Sequence, residues 1–356
     1  MKKQGWALNV KAIALAAAFA ASTCCYAAAA DMPVKAPPPP KAVPFFFVND
    51  TSVSFTYFPN ATDPGVTGAN HLNQYNGELD HFDVWQYGTN LLVASFSIYS
   101  NGAPDQGQLG AQGEHEFFGL WRSTIGLNEV TNSKMFSNFL FTDVGIEVGG
   151  NSDVTTDFLS AQDTAAVAGL NFNLNLPGTV LVSILAYKDY AHNEFDACNA
   201  NFGDGFPGIS PCAAGTAAFN GDRYFKVAPA IEASVAEPLT FLPWPVTFHD
   251  NVGVYFPKGT GVSAANTFAL AGAGAAAQLA QLQNEETKTE VNEDVRLTLD
   301  SGKVFWGKPG IWENYVGYKY WYNKFGTDHN APLFATLAPS TNIESSVYVG
   351  GTYHFK

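Results

Sequence analysis

Leu170-Asn171-Phe172-Asn173-Leu174-Asn175-Leu176 alternates apolar residues with asparagines without a break. A helix would smear this pattern around its circumference, whereas a strand puts the apolar residues on one face and the asparagines on the other. Pro177-Gly178 follows at once and forms a tight turn. The same alternation recurs in Asp143-Val144-Gly145-Ile146-Glu147-Val148. It recurs again from Asn292 to Asp300, where Val295, Leu297 and Leu299 oppose Asp294, Arg296, Thr298 and Asp300.

Extended along the chain, the pattern predicts twelve strands, at about 51–58, 81–87, 89–99, 114–127, 136–148, 165–176, 179–190, 223–236, 245–256, 288–300, 311–323 and 345–355. The connections alternate long and short without exception. The long ones are 59–80, 100–113, 149–164, 191–222, 257–287 and 324–344, and the short ones 88–90, 128–135, 177–178, 237–244 and 301–310. An outer-membrane barrel has long extracellular loops and short periplasmic turns. The fold class expected is therefore all-β, a transmembrane antiparallel β-barrel of about 12 strands. Lipid offers no partner to a free backbone group, so such a sheet must close. A soluble β-sandwich also alternates, but it does not account for the asymmetry of the loops.

Composition agrees. Charged residues are 14%, against the usual quarter or so, and aromatics are also 14%. Mean hydropathy is only −0.03, so apolar and polar residues are finely mixed rather than segregated. That suits a wall with one face in lipid and one in water. Aromatic residues gather near strand ends, as with Tyr57 and Phe58, Phe117 and Trp121, and Tyr318, Tyr320 and Tyr322, at the depth amphipathic rings favour.

The N-terminus has the form of a cleaved export signal over 1–30: Lys2, Lys3 and Lys11, an apolar run from Ala12 to Ala21, and Ala28-Ala29-Ala30 before Asp31. The run is too short to span a bilayer as a helix. A lipoprotein signal would use Cys24 or Cys25, but Thr23 or Cys24 stands where Gly or Ala is expected. Residues 31–48, with Pro37-Pro38-Pro39-Pro40, read as an extended periplasmic lead, and 49–356 as the barrel. The expected location is the bacterial outer membrane. Loss of the signal makes the chain three charges more acidic than the −14 of the whole, which excludes a nucleic-acid partner.

Cys198 and Cys212 are the only cysteines beyond the signal, and an oxidising compartment predicts a disulfide between them. Closing a loop of about 15 residues stabilises by about 3 kcal/mol in the chain-entropy account. Two cysteines without a second pair do not make a zinc set, so neither metal nor cofactor is expected. Phe268 to Gln283, rich in Ala, Leu and Gln but interrupted by Gly272 and Gly274, reads equally as a helical piece or as a disordered Ala-rich stretch within the loop 257–287.

The last strand alternates Val347, Val349, Gly351, Tyr353 and Phe355 with Ser346, Tyr348, Gly350, Thr352 and His354. A closing strand with a terminal aromatic resembles the signal read by the outer-membrane assembly machinery, although Lys356 follows the phenylalanine here. Two further segments are specific. Phe82-Asp83-Val84-Trp85-Gln86-Tyr87-Gly88-Thr89-Asn90 resembles the second strand of the nucleoside-specific channel-forming outer-membrane porins (Tsx-like). Gly317-Tyr318-Lys319-Tyr320-Trp321-Tyr322-Asn323-Lys324-Phe325-Gly326 resembles that family's penultimate strand. The resemblance implies a twelve-stranded barrel with a narrow pore and nucleosides as permeants. Asp31-Met32-Pro33-Val34-Lys35-Ala36-Pro37 separately resembles the mature start of outer-membrane proteins in rhizobia-like alphaproteobacteria.

Enzymatic motifs are missing from the sequence. His249-Asp250 and Glu114-His115-Glu116 are the best acid–histidine neighbours, and adjacent strand residues point to opposite faces. There is no Gly-x-Ser-x-Gly, P-loop or dinucleotide fingerprint. The lumen is the expected site. Strand parity assigns to it Asp83, Trp85, Tyr87, Glu116, Arg122, Asp143, Glu147, Asn171, Asn173, Asn175, Lys226, Glu232, Asp294, Arg296, Lys319 and Trp321. Charged lumen side chains set selectivity and aromatic faces can stack a nucleobase. The expectation is a passive diffusion channel, not an enzyme, with outer-membrane lipid around it and a small permeant of the nucleoside class. The alternatives are a barrel enzyme acting on lipid or lipopolysaccharide and a structural barrel without a useful pore.

Overall fold

The computed structural model describes residues 44–63, 71–99, 114–156, 162–192, 222–259, 287–330 and 340–355. The expected export signal, the expected lead as far as residue 43, the expected Cys198–Cys212 disulfide and the segment 268–283 lie outside the described residues.

Strands dominate: β1 (Phe46–Ala61), β2 (Leu72–Trp85), β3 (Gly88–Tyr99), β4 (His115–Gly126), β5 (Phe141–Thr155), β6 (Gln162–Leu174), β7 (Thr179–His192), β8 (Asp222–Tyr224), β9 (Ala228–Pro238), β10 (Val246–Tyr255), β11 (Glu290–Asp300), β12 (Trp312–Tyr322) and β13 (Ile343–Phe355). Each is antiparallel to its neighbours. The order runs from β6 through β1 to β13 and on to β9 and β7, and β7 pairs back onto β6. The sheet is thus closed, which removes the exposed edges of an open one. β8 and β9 act as one wall strand, both pairing with β7, at Tyr190↔Tyr224 and from Thr179↔Ala236 to Tyr187↔Ala228. The ring therefore has twelve staves, as the alternation predicts.

Register fixes which side chains share a face, because the period is two. Val53, Phe55, Leu79, Leu92, Phe96, Phe117, Trp121, Ile146, Leu170, Ile184, Ile231, Leu297, Val316, Val347 and Val349 fall on the outward face and are exposed. Ser52, Ser54, Ser95, Ser97, Glu147, Asn171, Ser183, Ser346 and Thr352 fall on the inward face and are buried. The barrel is apolar outside and polar within, the reverse of a soluble fold.

Three expectations are corrected. β1 begins at Phe46, so the lead is shorter than 31–48. β2 begins at Leu72 rather than near residue 81, so the connection 59–80 shrinks to 62–71. β5 runs from Phe141 to Thr155, so the loop 149–164 shrinks to 156–161 and the turn 128–135 grows to 127–140. The long–short alternation therefore fails at that one pair of connections. The grown turn is a short helix, Leu127–Thr131, whose Asn128 side chain donates to the Thr142 carbonyl at 3.1 Å. On the same rim Ser301–Trp306 is helical, capped by the Asp300 carboxylate, which accepts from Lys303 N at 2.8 Å. Gly178, at φ 74, makes the tight turn between β6 and β7.

Candidate functional site: the barrel lumen

The inward faces of β4, β5, β6, β7, β9 and β10 meet in one network. The Arg122 guanidinium donates to Glu232 through Nε at 3.2 Å and Nη2 at 2.8 Å, and lies 3.7 Å from Glu147. Tyr255 donates to Glu232 at 2.9 Å, and Ser183 and Asn171 donate to Glu147 at 2.5 and 3.2 Å. Arg122 stands on β4 and Glu232 on β9, with β5, β6 and β7 between them. Four strand spacings make about 19 Å along the wall. The two side chains therefore meet as a chord through the lumen, not as neighbours on the wall.

A second network lines β11, β12 and β13. Tyr348 donates to Asp294, and the Arg296 guanidinium lies 4.9 Å from the Tyr315 ring centre. Tyr315 in turn bonds Thr56 at 2.7 Å. These rings have room because glycines stand beneath them. A Cβ at Gly317 would overlap the Tyr348 ring, and one at Gly350 the Tyr315 ring. Towards the short-turn rim, His354 bonds Asp50 at 2.8 Å and lies 3.7 Å from Glu313.

Towards the long-loop rim the inward residues are acidic. Asp153 and Asp163 are direct cross-strand partners. Tyr99 donates to Glu116 at 2.5 Å, and Trp321 Nε1 donates to Glu290 at 2.7 Å. Two lysines from the connecting segments reach in. Lys258 pairs with Asp189, and Lys324 with Glu344 at 2.8 Å. Burial opposes the charge on each ammonium, but the carboxylates around it prevail and raise both lysines above their ordinary range.

Of the residues expected in the lumen, Glu116, Arg122, Asp143, Glu147, Asn171, Asn173, Glu232, Asp294, Arg296, Lys319 and Trp321 lie on inward register positions. Asp143 sits at the short-turn rim, where it accepts from Asn128 N at 3.2 Å. Asp83 and Trp85 do not lie inward. In the β2–β3 ladder no register shift separates them from Asp80, which is three and five positions away, so they take the opposite face. Outside, Asp83 accepts from Asn90 at 2.9 Å and lies 3.7 Å from His81, while Trp85 stacks on Phe45 at 6.0 Å. Tyr87 is in the β2–β3 turn, Asn175 lies beyond the end of β6, and Lys226 is in the irregular link between β8 and β9.

The physical reason is an inversion of polarity. From Gln74 to Asp80 the polar residues of β2 face inward, whereas Phe82 takes the inward position and His81 and Asp83 the outward ones. Sequence reasoning also missed Glu78 and Asp80, inward on the early part of β2, and Asp153, Asp163 and Asp189, inward on the ends of β5, β6 and β7. Gln74, Asn76, Glu78 and Asp80 alternate with Tyr75, Gly77 and Leu79, so the signal for β2 was present.

These features define a closed antiparallel barrel with an apolar outer wall and a charged interior. No protein-family model matches the chain, and no curated protein matches it. Among solved structures it is similar to an outer membrane channel from Pseudomonas putida F1, at 12% identity over 90% of this chain and 99% of that one, with a TM-score of 0.41. It is similar to the KdgM porin in complex with disordered oligogalacturonate, at 9% identity over 86% and 99%, with a TM-score of 0.35. It is also similar to the translocator domain of the autotransporter NalP from Neisseria meningitidis, at 11% identity over 86% and 87%, with a TM-score of 0.33.

Proposed function

We propose that this protein is a bacterial outer-membrane channel for passive diffusion of small solutes, and that neutral or cationic solutes of the nucleoside class are its permeants. The observation that carries the reading is the polarity of the closed ring, apolar outside and charged within. A spanning strand needs about 9–11 residues, and the twelve staves meet that length, from the ten residues of β10 to the sixteen of β1. Closure leaves no edge that lipid would have to satisfy.

The charge balance supports the preference. Inward register positions include Glu78, Asp80, Glu116, Asp143, Glu147, Asp153, Asp163, Asp189, Glu232, Glu290, Asp294 and Glu344 against Arg122, Arg296 and Lys319, with Lys258 and Lys324 reaching in from the connections. Fixed charge acts strongly between low-dielectric walls, so anions meet a barrier. Trp321 offers half-buried aromatic surface on the inward face, which supports stacking of a base. The site itself gives no positive support to an enzyme. His249 and Asp250 take opposite faces, and His354 is held by two acids.

Liposome swelling with adenosine, adenosine monophosphate and a sugar of similar size tests the proposal. Adenosine should enter faster than the sugar and the monophosphate slowest. Reversal potentials should show cation preference that fades as salt screens the lumen charge, over a reach of about 10 Å at 0.1 M. Anion preference, or a monophosphate as fast as the nucleoside, refutes the reading.

A further inference from the structure

We propose that the long-loop end of the lumen is a receptor for primary ammonium groups, in which Lys258 and Lys324 are tethered occupants that a free amine displaces. Glu116, Asp153, Asp163 and Asp189 are inward on four successive strands, β4 to β7. Asp153 faces Asp163 directly, and the other neighbouring pairs are diagonal. Like charges opposite one another in a sheet repel, so this collar is stable only with a cation or a shared proton nearby. It also has acceptor capacity to spare. Apart from contacts among the acids themselves, Asp153, 6% exposed, and Asp189, 2% exposed, each have a buried Oδ1 with no hydrogen-bond donor, as does Asp163; across the lumen Glu344, also 2% exposed, has such an Oε1.

The fold shows twice which donor suits these acceptors. Lys258 Nζ pairs with Asp189 and lies 4.9 Å from the ring centres of both Tyr187 and Phe225. Lys324 Nζ lies 2.8 Å from Glu344 and 4.6 Å from the centre of Trp321. A carboxylate beside an aromatic face is the chemistry that holds an ammonium. Neither lysine is on a strand. Lys258 belongs to the connection after β10 and Lys324 to that after β12, so each can withdraw without breaking the wall. Among the described residues no group of histidine, cysteine or acid side chains is arranged to hold a metal ion. The collar therefore suits a small aliphatic amine or diamine rather than a divalent metal.

Titration calorimetry on the full chain refolded in detergent tests this, with 1,4-diaminobutane, the neutral 1,4-butanediol and Mg²⁺ as probes. The diamine should bind, with the diol and Mg²⁺ at least about tenfold weaker, a difference of about 1.4 kcal/mol. The double variant Asp153→Asn/Asp163→Asn should lose about tenfold or more in diamine affinity. Lys258→Met should gain affinity by freeing Asp189, and Lys324→Met should gain independently by freeing Glu344, which keeps the test open should one lysine variant fail to fold. Equal binding of the diol, equal or tighter binding of Mg²⁺, or unchanged diamine affinity in the asparagine variant overturns the proposal. The binding heat does not require conduction. A barrel that binds the diamine yet fails in liposome swelling refutes the channel and leaves the receptor standing.

Discussion

Replacing Arg122 by methionine keeps an unbranched apolar stem and removes the guanidinium that bars the lumen. The loss can be worked from its contacts. Breaking a fully buried ion pair from one side costs about 3–5 kcal/mol, because the other charge is left unpaired. Here the side chain of Arg122 is 10% exposed and that of Glu232 22%, so water recovers part of the penalty. Tyr255 still donates to Glu232, and Ser183 and Asn171 still donate to Glu147. A loss of about 2–3 kcal/mol is therefore expected, between the buried figure and the roughly 0–1 kcal/mol of an exposed pair. Urea unfolding of the refolded barrel, followed by tryptophan emission, measures it. The cycle with Glu232→Gln isolates the pair, and coupling above about 1 kcal/mol is expected for a close, largely desolvated pair. A loss below about 1 kcal/mol, or no coupling, means that the chord through the lumen is not formed. In bilayers the same variant should raise conductance and strengthen cation preference, since it removes both an obstruction and a positive charge.

Two further substitutions separate the faces of the wall. Trp321→Ala should weaken the block of ion current by nucleosides, whereas Trp85→Ala, on the outward face, should leave it unchanged; equal effects in noise analysis would contradict the register. Asp250 is outward on β10 between Val235 and Val295, and its Oδ1 is buried without a hydrogen-bond partner. Asp250→Leu should stabilise the barrel by about 1–2 kcal/mol in vesicle-based unfolding, because a charge on a lipid-facing position is unfavourable; a destabilised variant would show that this face is not against lipid.

The strand count was legible because an uninterrupted run such as Leu170–Leu176 admits a single period, and the last strand from Ile343 to Phe355 follows the same rule. β2 was cut short because Asn76, Glu78 and Asp80 have loop-like β-propensity. Their polarity is instead what an inward face tolerates, and pairing with Thr56, Ser54 and Ser52 of β1 supplies the order that propensity does not. The site was legible only as a set of faces. Arg122 and Glu232 are 110 residues apart, so their contact depends on closure of the ring and on the reach of both side chains. Lys258 and Lys324 carried no alternation signal, since both lie outside the strands.

The inversion on β2 follows from where the apolar wall ends. Thr51, His81, Asp83, Asn90 and Ser123 all take outward positions and bond one another, through Thr51 to His81 at 2.8 Å, Asn90 to Asp83 at 2.9 Å and Ser123 to Asn90 at 2.7 Å. A hydrogen-bonded polar belt on the outside is costly in hydrocarbon and inexpensive in the headgroup region. Phe45, Trp85 and Tyr87 lie beyond it and touch in sequence, with ring centres 6.0 and 5.4 Å apart. Aromatic rings favour that depth. In an outer membrane, the β2–β3 hairpin would leave the apolar band at about Asp83. Below that level, nothing requires the outward residues to be apolar. The wall's polarity is free to reverse there, and Phe82 can face the lumen while Asp83 faces out.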